Sequence, residues 1–89
     1  MRLIGMLTTY NDEDWLPRTL ETFAMLDGGV LCEGAYQETI VLGKLPRSPD
    51  NTNKLCQEFV SSHSNYYFFE ANEKSDVQQR NFVLEKIKQ

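Results

Sequence analysis

The sequence has little cysteine and histidine, which excludes several kinds of site. It holds two cysteines, Cys32 and Cys56, in no CxxC or CxxH arrangement, and His63 is its only histidine. A structural zinc site needs four ligands, mostly of these two types, so such a site is excluded. The two cysteines also do not form a disulfide framework, and we expect free thiols in a reducing cytosol.

Long apolar runs and basic runs are missing as well. No segment approaches the roughly 20 apolar residues of a transmembrane helix, and the apolar run near the N-terminus is too short for a signal peptide. A cytoplasmic protein is therefore expected. The nine Lys and Arg residues are scattered and the net charge is -4, so nucleic acid is not an expected partner. A single phosphorylated ligand is still compatible with this charge, because a few local groups can hold it.

The motifs of several enzyme classes are also absent. No GxxxxGK[ST] and no GxGxxG occur, which excludes a P-loop and a dinucleotide fingerprint. Ser-His-Asp chemistry would have to use His63, which lies at the C-terminal end of the second predicted helix, away from the expected ligand edge of the sheet. The acids Asp12, Glu13 and Asp14 are better explained as the start of a helix than as metal ligands. No catalytic residue and no metal ligand is therefore assigned.

The apolar residues that are present predict one α/β domain over residues 1–89. Continuous apolar or aromatic runs predict strands at residues 3–7, 39–42 and 66–69. Apolar residues at helical spacing predict the inward faces of three helices: Leu16, Leu20 and Phe23; Leu55, Cys56, Phe59 and Val60; and Val83, Leu84 and Ile87. Asp27, Gly28 and Gly29 are expected to end the first helix. Residues 30–37 could be a loop or a short extra strand.

This β-α-β-α-β-α order predicts three βα units that form a small parallel sheet with flanking helices. Ligands of such sheets bind beyond the carboxyl ends of the strands. In this sequence those ends lead into residues 8–12, 43–52 and 70–76, which are polar. The alternative is that these loops are polar for solvation and helix capping alone.

Three short motifs resemble the start of the family 2 glycosyltransferases, which have the GT-A fold. Residues 6–20 resemble the family's first strand, its Tyr-Asn and the acidic start of a Leu-rich helix. Residues 48–52 match the family's Ser-x-Asp-x-Thr, and residues 79–81 stand where Ala-Arg-Asn is expected. The acid that normally precedes Ser-x-Asp-x-Thr is replaced by Gly43 or Lys44, so the donor's base is left open.

The resemblance implies a site for a nucleotide-diphosphate sugar and a larger enzyme around it. Its nucleotide-binding residues are expected to be Thr8, Tyr10, Asn11, Asp50 and Arg80. A divalent Mg²⁺ or Mn²⁺ ion would be held by an Asp-x-Asp motif on a later strand, and neither that motif nor the catalytic base is in this chain. The chain alone is therefore predicted to bind no metal cofactor and to be inactive in hexosyl transfer.

Other interpretations remain open beside this one. A stand-alone, non-catalytic α/β module that binds a nucleotide or a protein is the main alternative, and a small hydrolase or phosphatase is a weaker one. The strand order is expected to be 3-2-1, which leaves residues 3–7 at an apolar edge. Such an edge predicts self-association through the first strand, or association with a missing C-terminal part.

Overall fold

The computed structural model describes residues 3–88, except for the side chains at positions 76 and 88. The remaining positions of the predicted domain, 1, 2 and 89, lie outside the described residues. The elements, in chain order, are β1 (Ile4–Thr9), α1 (Leu16–Phe23), β2 (Gly28–Glu33), α2 (Gln37–Ile40), α3 (Thr52–Ser62), β3 (Tyr66–Glu70) and α4 (Asp76–Lys88).

The three strands form one parallel sheet in the order β1-β2-β3. In its register, Met6 lies opposite Val30 and Cys32 lies opposite Phe69. The predicted α/β class, the parallel sheet, the flanking helices and the strand order are therefore confirmed.

Helices cover both faces of the sheet. One core cluster joins α1 and α3 to β2 and β3: Leu16, Leu20, Phe23, Leu31, Cys56, Phe59 and Tyr66. A second, smaller cluster packs Val83 of α4 against Val30 and Cys32 on the other face. The predicted inward face of the first helix is thus confirmed. None of the helices in the described part of the chain has the length and apolar character needed to cross a bilayer.

The middle strand is not the predicted one. Residues 39–42 do not form a strand, because they belong to the short helix α2 and the turn after it. Val41 and Leu42 are 85% and 84% exposed, whereas every residue of β2 is buried. In residues 30–37, for which the sequence allows a loop or a short strand, Val30, Leu31 and Cys32 supply the buried apolar run that the centre of a parallel sheet requires.

Glycines in the strands explain why α1 lies so close to the sheet. A Cβ atom on Gly5 or Gly29 would lie 2.6 Å or 2.7 Å from the ring of Phe23. The aromatic ring therefore packs directly on the backbone of β1 and β2. Gly28 and Gly29 were expected to end the helix, but α1 ends at Phe23 and these glycines begin β2.

The structure corrects two expectations about which side chains are buried, one in β1 and one in α4. The continuous apolar run of β1 is typical of a strand that is buried on both faces, yet Ile4 and Met6 are 40% and 42% exposed. Leu84 of α4, expected to point inward, is also exposed, while Val83 is fully buried and Ile87 packs against the core. A single helix on this face leaves part of β1 uncovered.

Candidate functional site

A cavity of about 240 Å³ lies at the carboxyl ends of β1 and β2. Ligands of open parallel sheets bind at this edge. The cavity is lined by Thr8, Thr9, Tyr10, Asp12, Gly34, Ala35, Tyr36, Thr39 and Lys44.

The end of β1 forms a hydrogen-bonded wall of this cavity. The carboxylate of Asp12 accepts hydrogen bonds from the Thr9 hydroxyl at 2.7 Å and from the Tyr10 backbone N–H at 3.2 Å. The Tyr10 hydroxyl donates to the carbonyl oxygen of Leu45 at 2.8 Å, which fixes the ring against residues 44 and 45. The Nζ atom of Lys44 lies 5.4 Å from the centre of that ring.

Gly34 brings the end of β2 into close contact with the segment after β3. Its N–H donates to the Thr9 carbonyl, and the Ala71 N–H donates to the Glu33 carbonyl, so the ladder continues beyond the strands. Gly34 has a φ of +151°, and an added Cβ would lie 2.0 Å from the carbonyl oxygen of Ala71. No larger residue fits this wall of the cavity without moving the backbone.

Glu33, the last residue of β2, is a fully buried carboxylate whose two oxygens both bind protein donors. Its Oε2 atom accepts from the backbone N–H and the hydroxyl of Ser48, at 2.8 Å and 2.9 Å. Its Oε1 atom accepts from Asn53 Nδ2 at 2.6 Å and lies 3.4 Å from Nη1 of Arg47. Buried charges are retained when they are paired in this way. Through these bonds, Glu33 holds the loop before α3 against the carboxyl end of β2, the middle strand.

Asn72, which follows β3, forms hydrogen bonds with the same loop. Its Nδ2 atom donates to the carbonyls of Ala35 and Pro46, at 2.8 Å and 2.9 Å. Its Oδ1 atom accepts from Arg47, whose other terminal nitrogen donates to the Glu33 carbonyl. The loops after all three strands are therefore joined behind the cavity.

The first turns of α1 and α3 are joined beside the cavity. The Asn11 N–H donates to the Ser48 hydroxyl at 2.9 Å, and the Asp12 N–H donates to the buried Thr52 hydroxyl at 2.8 Å. Asn11 has a φ of 55°, a left-handed conformation that Asn adopts more readily than most residues.

Asp50 adds further hydrogen bonds between the starts of α1 and α3, a region that we call the helix junction. Its carboxylate accepts from the Thr52 N–H at 3.0 Å and from the Glu13 N–H at 3.1 Å, while Glu13 accepts from the Asn51 N–H and side chain. Partial burial acts to raise the pKa of Asp50, but the hydrogen bonds from Thr52 and Glu13 outweigh it and hold that pKa below its ordinary value. Asp50 stabilises two helix N-termini in its ionised form.

The structure brings only part of the predicted nucleotide site together. Thr8 and Tyr10 line the cavity, and Asn11 and Asp50 lie in the adjoining helix junction. Arg80 is exposed on α4 and, among the described residues, is not part of the cavity lining.

The sequence does not point to Glu33, because its local pattern predicts the second strand at residues 39–42. The second strand of the structure ends in an acid, Glu33. The signal was the apolar run of residues 30–32 followed by an acid and a glycine.

The groups that could carry metal or thiol chemistry are not assembled for it. Among the side chains that the structure describes, no group of three or more His, Cys, Asp or Glu residues is placed to hold a metal ion. These residues therefore do not fit the Mg²⁺ or Mn²⁺ ion that the resemblance implies. Cys32 and Cys56 are free thiols, as expected, and burial raises the pKa of each to about 12. His63 stacks on Phe59, with ring centres 4.1 Å apart, at the end of α3.

Comparison with known proteins adds no assignment. No family model matches the chain, and neither the curated proteins nor the solved structures include a significant match to it. The resemblance to glycosyltransferases therefore rests on residues of this chain alone and stays a prediction.

Proposed function

We propose that this chain is the nucleotide-binding part of a glycosyltransferase-like protein and that its cavity takes the nucleoside of a nucleotide-diphosphate sugar. The observation that carries the proposal is the position of the cavity. It lies at the carboxyl ends of β1 and β2, where it is lined by Thr8 and Tyr10. These two residues belong to the first motif of the resemblance.

The groups in the cavity suit a flat ring with polar edges. Tyr10 and Tyr36 present aromatic side chains, and Thr8 contributes a hydroxyl that can donate or accept. Stacking of a base on an aromatic side chain is worth about 1–3 kcal/mol. The volume of about 240 Å³ is below the roughly 300–1,000 Å³ of pockets that enclose a whole drug-sized ligand. The sugar and diphosphate would therefore lie largely outside it.

Titration with uridine diphosphate and guanosine diphosphate tests this proposal. In the isotope-labelled protein we expect amide shifts at Thr8, Tyr10 and Gly34, and weaker binding by Tyr10→Ala. Tyr67→Ala is the matched control, because Tyr67 is an exposed tyrosine on β3 outside the cavity. Shifts confined to the region of His63, or equal effects of the two variants, would contradict the proposal.

Association through the edge of the sheet is a second candidate function. β1 is an outer strand of the described sheet, and Leu3, Ile4 and Met6 are exposed along it. The carbonyls of Leu3 and Thr9 accept from Asp27 and Gly34 on the β2 side. Because backbone groups alternate along a strand, those of the even-numbered residues point outward. An apolar edge of this kind is a template for a strand of another copy or of a partner.

A further inference from the structure

Lys44 stands out among the residues that line the cavity. It is the only cationic side chain in that lining within the described part of the chain, and it is exposed. The guanidinium group of the nearby Arg47 already binds Glu33 and Asn72, so it does not face a ligand in the cavity. Among the described side chains that line the cavity, Lys44 is therefore the one that can offer a ligand a positive charge.

None of the described carboxylates forms an ion pair with the ammonium group of Lys44. Among the residues that the structure describes, Arg47 and Glu33 form the ion pair, and Lys44 has no such partner. Its contact is with the face of the Tyr10 ring, at 5.4 Å from the ring centre. Cation–π contacts at exposed sites are weak, so an anionic ligand can draw the ammonium away from the ring.

The backbone around Lys44 is fixed while its side chain has space. The Lys44 N–H donates to the Thr39 carbonyl at 3.1 Å, and the Leu45 carbonyl accepts from the Tyr10 hydroxyl. The side chain of Lys44 is exposed. The turn therefore holds Lys44 at the mouth of the cavity without enclosing it.

We propose that Lys44 binds a phosphate of the ligand and that, in doing so, it frees the face of Tyr10 for the ligand's ring. This inference rests on the proposed function and names its ligand class, a nucleoside diphosphate. The carboxylate of Asp12 lines the same cavity and repels an anion. The two charges thus orient the ligand, with its phosphates at Lys44 and its ring toward Thr8.

The test compares uridine, uridine diphosphate and inorganic pyrophosphate on three forms of the full chain, namely wild type, Lys44→Gln and Lys44→Arg. Loss of a charge-assisted hydrogen bond predicts about tenfold weaker binding of uridine diphosphate by Lys44→Gln. Uridine binding should not fall, and Lys44→Arg should bind uridine diphosphate almost as wild type does. Added salt should weaken diphosphate binding by wild type more than by Lys44→Gln, because salt screens the contact.

Lys86→Gln is the matched control. Lys86 lies over the rings of Phe69 and Phe82, at 5.2 Å and 5.3 Å, so the variant removes one charge and a similar ring contact outside the cavity. It should bind all three ligands as wild type does. A loss equal to that of Lys44→Gln would mean that net charge alone decides binding, and the inference would be wrong.

The remaining outcomes separate this inference from the proposed function. If uridine diphosphate binds wild type and Lys44→Gln equally, or if Lys44→Gln weakens uridine and its diphosphate equally, the role of Lys44 is wrong and the nucleotide site stands. If pyrophosphate alone binds, and only when Lys44 is present, Lys44 holds an anion and the nucleotide site is wrong. If none of the three ligands binds wild type, both are wrong.

Discussion

At the scale of single residues, Glu33 is the group on which the candidate site depends most. It lies at the end of the central strand, and its carboxylate receives donors from Ser48, Asn53 and Arg47. Each of these donors belongs to the loop before α3 or to its first turn. Their alignment therefore depends on the Glu33 side chain at the end of the central strand.

Glu33→Ala should lower the free energy of unfolding by about 3 kcal/mol, because it leaves several donors without their acceptor. Urea unfolding measures this change. The matched control is Glu85→Ala, an exposed glutamate on α4, which should stay within about 0.5 kcal/mol of wild type. Equal stability of the two variants would show that the loop is held without Glu33.

Asp50 should make the stability of the protein depend on pH in the acid range. Its pKa in the folded state is lowered, so the native protein binds fewer protons than the unfolded chain. Its contribution is then fully present above the unfolded pKa of about 3.9 and is lost as the pH falls through the lower folded value. The stability difference between wild type and Asp50→Asn should therefore shrink below about pH 4. Urea unfolding across this pH range checks the sign, and a constant difference would contradict it.

At the scale of elements, Gly34 and Gly43 are two glycines with positive φ in very different surroundings. An added Cβ on Gly34 meets the Ala71 carbonyl, whereas one on Gly43 meets open space. Gly34→Ala should thus lose more than about 3 kcal/mol of stability, since both clash and backbone strain oppose it. Gly43→Ala meets strain alone and should lose about 1–2 kcal/mol. Chemical unfolding of the pair measures the difference, and similar losses would mean that the backbone at Gly34 relaxes.

Elements with a strong local pattern could be predicted from the sequence, and those set by distant partners could not. The face of α1 and the aromatic strand β3 have the apolar spacing and the β propensity of their type. Residues 39–42 have a similar local preference for a strand, but the buried residues of β2 form the middle strand of the sheet instead. Only the packing of Phe23 on Gly29 shows why two glycines begin that strand.

The residues of the candidate site likewise divide into those that the local sequence predicts and those whose positions depend on distant partners. Thr8 and Tyr10 could be predicted, because the polar residues after the first apolar strand mark the ligand edge of a parallel sheet. Lys44 and Glu33 could not, because their places depend on which segment forms the second strand. Asp50 lies beside the cavity, and its hydrogen bonds stabilise the starts of the two helices.

At the scale of the whole molecule, the uncovered edge of β1 predicts concentration-dependent self-association. Sedimentation velocity over a wide concentration range should show dimers or larger species for wild type. Ile4→Lys should reduce them, because a charge at an edge strand opposes pairing. Leu42→Lys is the control, since Leu42 is exposed in the turn after α2, away from the sheet. A wild-type monomer at high concentration, with the amides of Ile4 and Met6 exchanging freely, would contradict the prediction.

The parallel register also has a consequence for how quickly the chain folds. Ile4 pairs with Gly28 and Gly29 pairs with Tyr66, so no two strands are joined by a short hairpin. A long loop must close before either ladder gains its first hydrogen bond, and closing it loses chain entropy. Proteins with parallel sheets of this kind fold more slowly than helical bundles of the same length. Refolding of this protein should therefore take place in milliseconds or longer, with α1 gaining stability only once the strands beneath Phe23 have met.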